Sequence, residues 1–124
     1  MTIKKFLPIG LLTAGLLALA AGPASAATPV QTLNGTVGPG YTINITMAGK
    51  KVTNLKAGTY KLVVKDKSNM HDFVIEGPGI DGDNSVTTVP FVGTKSETVV
   101  LKKGTYAYYC EPHHTSMKGS IKVS

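Results

Sequence analysis

One cysteine, two histidines and a methionine fall within eight consecutive positions, Cys110-Glu-Pro-His113-His114-Thr-Ser-Met117, and a third histidine, His71, stands 39 positions before the cysteine. A thiolate, an imidazole and a thioether on one short loop are soft and borderline ligands. Joined by a second imidazole, they compose a trigonal His2Cys copper site with a weak axial Met. His71 is the residue that can supply that imidazole. The thiolate binds either copper oxidation state, and coordination keeps deprotonated a group that is otherwise mostly a thiol near neutral pH. Met117 would make the weak, long contact that tunes the potential.

The neighbouring residues have plainer readings. His114 competes with His113 for the same role, but its offset from Cys110 lacks the Pro-His register, and it reads as a surface histidine. Met47 and Met70 read as packing, because Met commonly fills gaps in cores. Catalysis is disfavoured. Three histidines cannot fill a mononuclear centre and a trinuclear copper cluster as well, and no His-x-His pair occurs. A nucleophilic Cys110 with His113 as base would leave Met117 and His71 without a role, so the chain is not expected to be an enzyme.

These residues need a scaffold that brings distant segments together. Glycine, proline, asparagine and aspartate divide the chain into short strands: 31–37, 41–46, a weaker piece at 51–55, 58–66, 71–76, a short strand within 85–92 broken at Pro90, 97–102, 104–110 and 119–123. Alternation such as Tyr60-Lys-Leu62-Val-Val64-Lys fits a sheet with one face on a core and one in water. Seven or eight such strands, with turn signals and no convincing helix, predict an all-β fold, an antiparallel Greek-key β-sandwich. Lys56-Ala-Gly58-Thr-Tyr60 and Lys102-Lys-Gly104-Thr-Tyr106 look alike, 46 residues apart, and read as the same kind of strand entry. The loop Asp81-Gly-Asp83-Asn84 has too few correctly spaced oxygens for a calcium-binding hand and reads as a turn.

Alternation also aims the side chains. In the strand ending at Cys110, Tyr106, Tyr108 and Cys110 share one face, and Ala107 and Tyr109 the other. Two tyrosines mark the first face as inward, which brings the sulfur to the end of the core. His71, Phe73 and Ile75 likewise share a side. Pro112, with its fixed φ and no N–H, shapes the loop that returns His113 and Met117 toward the sulfur.

The N-terminus reads as a targeting segment. Lys4 and Lys5 begin it, Phe6 to Ala21 form an apolar run, and Ala24-Ser25-Ala26 is a small-residue cleavage site. Residues 1–26 are thus expected to be a signal peptide, leaving residues 27–124 as one domain, exported to a periplasm or the medium. No cysteine near the cut could take a lipid anchor, so no membrane attachment is expected after cleavage. An unpaired thiol is unusual in an oxidising compartment, and a bound metal would protect it. The mature part keeps eleven lysines against seven carboxylates, a net charge of +4. That balance could steer it toward an acidic-surfaced partner, but the lysines are scattered, which argues against nucleic acid.

The run from Gly104 to Gly119 resembles the copper loop of plastocyanin-type cupredoxins, and Met70-His-Asp-Phe-Val resembles their upstream histidine strand. The resemblance covers most of the mature chain in strand order. It implies Cys110, His113 and Met117 as copper ligands from the loop and His71 as the fourth. It also implies reversible Cu(I)/Cu(II) cycling, with the loop histidine near the surface as the exit for the electron.

The leading expectation is therefore a monomeric blue-copper protein that shuttles single electrons between a donor and an acceptor protein, with residues 38–40, 77–79 and 90–91 as the docking rim. The alternative is a copper carrier or storage protein, because the same four side chains suit Cu(I). A third reading is a metal-free adhesion module, in which Cys110→Ser would leave metal binding unchanged.

Overall fold

The computed structural model describes residue 15 and residues 29–124, so the expected signal peptide lies, but for Gly15, outside the described residues. Among the described residues ten β-strands are formed: β1 (Gln31–Val37), β2 (Ile43–Met47), β3 (Lys50–Lys51), β4 (Asn54–Leu55), β5 (Gly58–Asp66), β6 (Phe73–Glu76), β7 (Ser85–Thr87), β8 (Gly93–Leu101), β9 (Gly104–Tyr109) and β10 (Lys118–Val123). β3 and β4 are two-residue pieces, so eight strands of useful length remain, as the alternation predicts. A 3-10 turn, Glu111–His113, separates β9 from β10. Among the described residues no helix is long and apolar enough to cross a membrane.

The strands form two five-stranded sheets, ordered β3-β2-β1-β5-β8 and β4-β10-β9-β6-β7. After β5 the chain crosses to the second sheet for β6 and β7, returns for β8, and crosses again for β9 and β10, which is a Greek-key path. Most pairs are antiparallel, but β1 runs parallel to β5 and β4 parallel to β10. β1 is thus flanked by β2 on one edge, antiparallel, and by β5 on the other, parallel.

Period-two burial fills the space between the sheets. Leu33 and Val37 from β1, Ile45 from β2, Tyr60, Leu62 and Val64 from β5, and Val99 and Leu101 from β8 face Phe73, Ile75, Tyr106, Tyr108, Ile121 and Val123. Each large aliphatic or aromatic side chain hidden this way contributes about 1.5–3 kcal/mol. The rings of Phe73 and Tyr108 lie parallel, 5.9 Å apart. They tie β6 to β9, the two strands that run toward the residues of interest.

Strand ends differ from the sequence reading in two places that matter. β6 begins at Phe73, so His71 and Asp72 belong to the connection before it, held by a backbone bond from His71 N to Ser68 O at 3.4 Å. β8 begins at Gly93 rather than near Glu97, because its first residues pair with the end of β5, Gly93 opposite Asp66.

Candidate metal centre

The register of β6 against β9 brings the two sequence segments together. Val74 pairs with Tyr109 in antiparallel fashion. Followed two residues further, this register sets Asp72 opposite Glu111, and Asp72 Oδ1 accepts a hydrogen bond from the Glu111 N–H at 2.7 Å. Cys110 is thereby held beside the residues that carry His71, and 39 positions of chain are closed into one site.

The loop after Cys110 folds back on itself. Pro112 stands in the first turn of the 3-10 segment, where its fixed φ suits the bend and its lack of an N–H costs nothing. His113 N donates to Cys110 O at 3.2 Å, Met117 N to His113 O at 2.9 Å, and Cys110 N to Met117 O at 3.0 Å. The last bond sets residues 110 and 117 side by side. β9 and β10 then grip the loop through the pair Tyr109 and Lys118.

Three donor atoms converge. Cys110 Sγ lies 3.6 Å from His71 Nδ1 and 3.7 Å from His113 Nδ1, and the two Nδ1 atoms are 3.2 Å apart. Cys110 is fully buried, Met117 is 1 % exposed and His71 3 %, while His113 is half-buried. His71 Nε2 sits 2.8 Å from the carbonyl of Gly40. A carbonyl only accepts, so Nε2 carries the hydrogen, and the lone pair of Nδ1 is aimed at the other donors.

Burial pushes the Cys110 thiol up from its ordinary pKa, and the charge of Asp72 adds to this; the backbone N–H groups of Asp72 and His113 work against it. A buried thiol of this kind is inert unless a cation takes the place of its proton. Two imidazole nitrogens and a sulfur within reach of one another, with the buried Met117 bonded through its carbonyl to Cys110 N, fit copper. Zinc and the hard cations favour donor sets without a thioether.

The structure thus brings together His71, Cys110 and His113, with Met117 adjoining through its backbone. His114 is exposed and lines a groove on the outer face of the second sheet with Glu76, Tyr109 and Lys118. Tyr109, whose role the sequence leaves open, faces this groove, and its hydroxyl donates to Glu76 Oε2 at 3.3 Å. Met70 is 55 % exposed rather than packed, whereas Met47 packs against the core. Of the three expected rim segments, 38–40 lies at the centre. Gly77 and Pro78 instead pack on Tyr106 and Gly104, at the opposite end of β9. Sequence reasoning missed Tyr41, whose ring stands against both imidazoles; nothing in the local pattern of Gly-Pro-Gly-Tyr signals such a contact.

Comparison with known proteins gives the same picture. Residues 19–124 match the family described as copper binding proteins, plastocyanin/azurin family. Among solved structures, the chain is similar to rusticyanin from Thiobacillus ferrooxidans, with 25 % identity, 79 % of each chain covered and a TM-score of 0.53. A methionine-to-glutamine mutant of rusticyanin is similar at 25 % identity and TM-score 0.53, over 79 % of this chain and 80 % of that one.

Proposed function

The chain belongs to the plastocyanin/azurin family of copper-binding proteins, and from that premise we propose that it carries single electrons between redox proteins, with His71, Cys110, His113 and Met117 holding the metal. Copper bound there supplies one-electron chemistry by cycling between Cu(I) and Cu(II). The protein's part is to hold the donors in one arrangement and keep water away. The observation that carries this reading is the convergence of Cys110 Sγ, His71 Nδ1 and His113 Nδ1 at the buried end of the sandwich.

Each residue has a separate task. Gly40 O fixes the tautomer and angle of His71. The bond from Glu111 N to Asp72 Oδ1 locks the ligand loop to the histidine segment. A donor set held at the ends of β6 and β9 and on a self-bonded loop changes little between redox states, which keeps the reorganisation small. His113, the more exposed of the two imidazoles, gives the electron its way in and out. Residues 38–40, whose Gly40 carbonyl meets His71, and residues 90–91, in the connection from β7 to β8, are the docking rim of this reading.

The chain acts on no substrate of its own in this reading. Residues 1–26 are removed on export, and the monomer of residues 27–124 works in a periplasm or outside the cell with redox partners whose surface is acidic. Mass spectrometry of exported protein would then find Ala27 at the N-terminus.

Adding Cu(II) to the copper-free protein should produce intense visible absorption from thiolate-to-copper charge transfer, and voltammetry should show a reversible one-electron wave. Cys110→Ser should abolish the colour. A protein that takes up copper without colour, cannot be cycled and hands the metal rapidly to an acceptor would instead be a copper carrier. Copper affinity retained in Cys110→Ser would sink both.

A further inference from the structure

One exposed aromatic ring sits directly against the centre. Tyr41 is 62 % exposed and stands outside the hydrophobic core. Its ring is nevertheless edge-on to both imidazoles, 5.6 Å from His71 at 62° and 5.1 Å from His113 at 79°. The imidazoles are themselves edge-to-face, 4.9 Å apart at 82°. The three rings close a triangle of contacts in the geometry that ring quadrupoles favour.

The turn that carries Tyr41 is built to hold it there. Gly38 N donates to Thr42 O at 2.9 Å, and Thr42 Oγ1 donates to Pro39 O at 3.2 Å. Gly40 adopts a φ of 71°, a left-handed conformation that glycine takes without cost. It lets two successive residues address the same pair of rings, Gly40 through its carbonyl on His71 Nε2 and Tyr41 through its side chain. This turn joins β1 to β2 of the first sheet, whereas both histidines are presented by the second sheet. A clamp thus reaches across the end of the sandwich.

We propose that Tyr41 is a positioning residue for the two imidazoles: its ring restrains the rotation of His113 and covers the solvent side of the pair, keeping small anions from the metal. The covering role rests on the copper reading above; the restraint of the imidazoles does not. Holding donor groups in place before binding reduces the ordering that binding must impose.

NMR relaxation of the histidine rings in the copper-free protein tests the restraint. Tyr41→Ala should increase the population of alternative His113 ring orientations roughly two- to tenfold, the range that corresponds to losing an edge-to-face contact. Tyr41→Phe should match the wild type, because the ring and not the hydroxyl makes the contact. Unchanged ring behaviour in Tyr41→Ala, or the same change in Tyr41→Phe, overturns the proposal. So does a loss of amide protection throughout β9 and β10 in Tyr41→Ala, which would make the residue a general folding element.

Azide titration of the copper-loaded protein, followed by its visible spectrum, tests the cover. Azide should bind roughly two- to tenfold more tightly to Tyr41→Ala than to the wild type or Tyr41→Phe, by the same arithmetic, and equal affinities overturn the covering role. A chain that shows the ring effect but takes up no copper would sink the copper reading and leave the restraint standing.

Discussion

At the scale of single residues, Asp72 shows how little freedom the centre leaves. An ionised carboxylate can only accept hydrogen bonds, and here an acceptor is what the fold requires, because the Glu111 N–H points at Asp72 Oδ1 from 2.7 Å. The backbone N–H of the same residue draws the Cys110 pKa down, against the larger upward push of burial. Asp72→Ala leaves the Glu111 donor without its partner and should cost about 1–3 kcal/mol in urea denaturation of the copper-free protein. Asp72→Asn retains an acceptor oxygen and should recover most of that loss. Equal stability of the alanine variant and the wild type would show that water satisfies Glu111 as well as the carboxylate does.

At the scale of elements, the two look-alike segments are the same device used twice. β5 and β9 both start at the glycine of a Lys-x-Gly-Thr-Tyr run, and both tyrosine hydroxyls reach back four residues. Tyr60 donates to Lys56 O at 2.7 Å, while Tyr106 accepts from Lys102 N at 2.8 Å and donates to Pro78 O. The second tyrosine makes more bonds and is fully buried, so Tyr106→Phe should cost about 1–3 kcal/mol and Tyr60→Phe closer to 1 kcal/mol in the same assay. The opposite order would refute this account of the corners. On β10, Gly119 lies beneath the ring of Tyr108, and a Cβ there would collide with it. Gly119→Ala should destabilise by about 1–3 kcal/mol through overpacking. Because Tyr108 is two residues from Cys110, the copper absorption band should shift as well, whereas Ser120→Ala on the exposed side of the strand should change neither.

For the whole molecule, a donor set assembled only by folding makes metal binding and stability one equilibrium. An ion held by the native state alone stabilises it by about 2.7 kcal/mol when present at a hundred times its dissociation constant. For a domain of this size that raises the melting temperature by roughly 10–20 °C. Calorimetry of copper-free and copper-loaded protein should show that gap, and Cys110→Ala should close most of it. An equal melting temperature with and without copper would mean that the donors are not recruited from the folded state.

Much of the site could be read along the chain because its signals are local. Donor chemistry belongs to the residue type, and the alternation that turns Tyr106, Tyr108 and Cys110 inward is a property of any strand; all three are buried. Pro112 and the glycine strand entries also act over a few neighbouring residues. Which strands lie side by side is not a local property, since every strand offers the same backbone donors and acceptors to any partner. Only the packed sandwich selects β6 beside β9 in the register Val74 to Tyr109, the parallel pairing of β1 with β5, and the end of the molecule at which residues 77–79 emerge. The approach of Tyr41 to both imidazoles is of the same kind. It depends on how one sheet's turn overhangs the other, a distance set by core volume and sheet twist rather than by the residues on either side of the tyrosine.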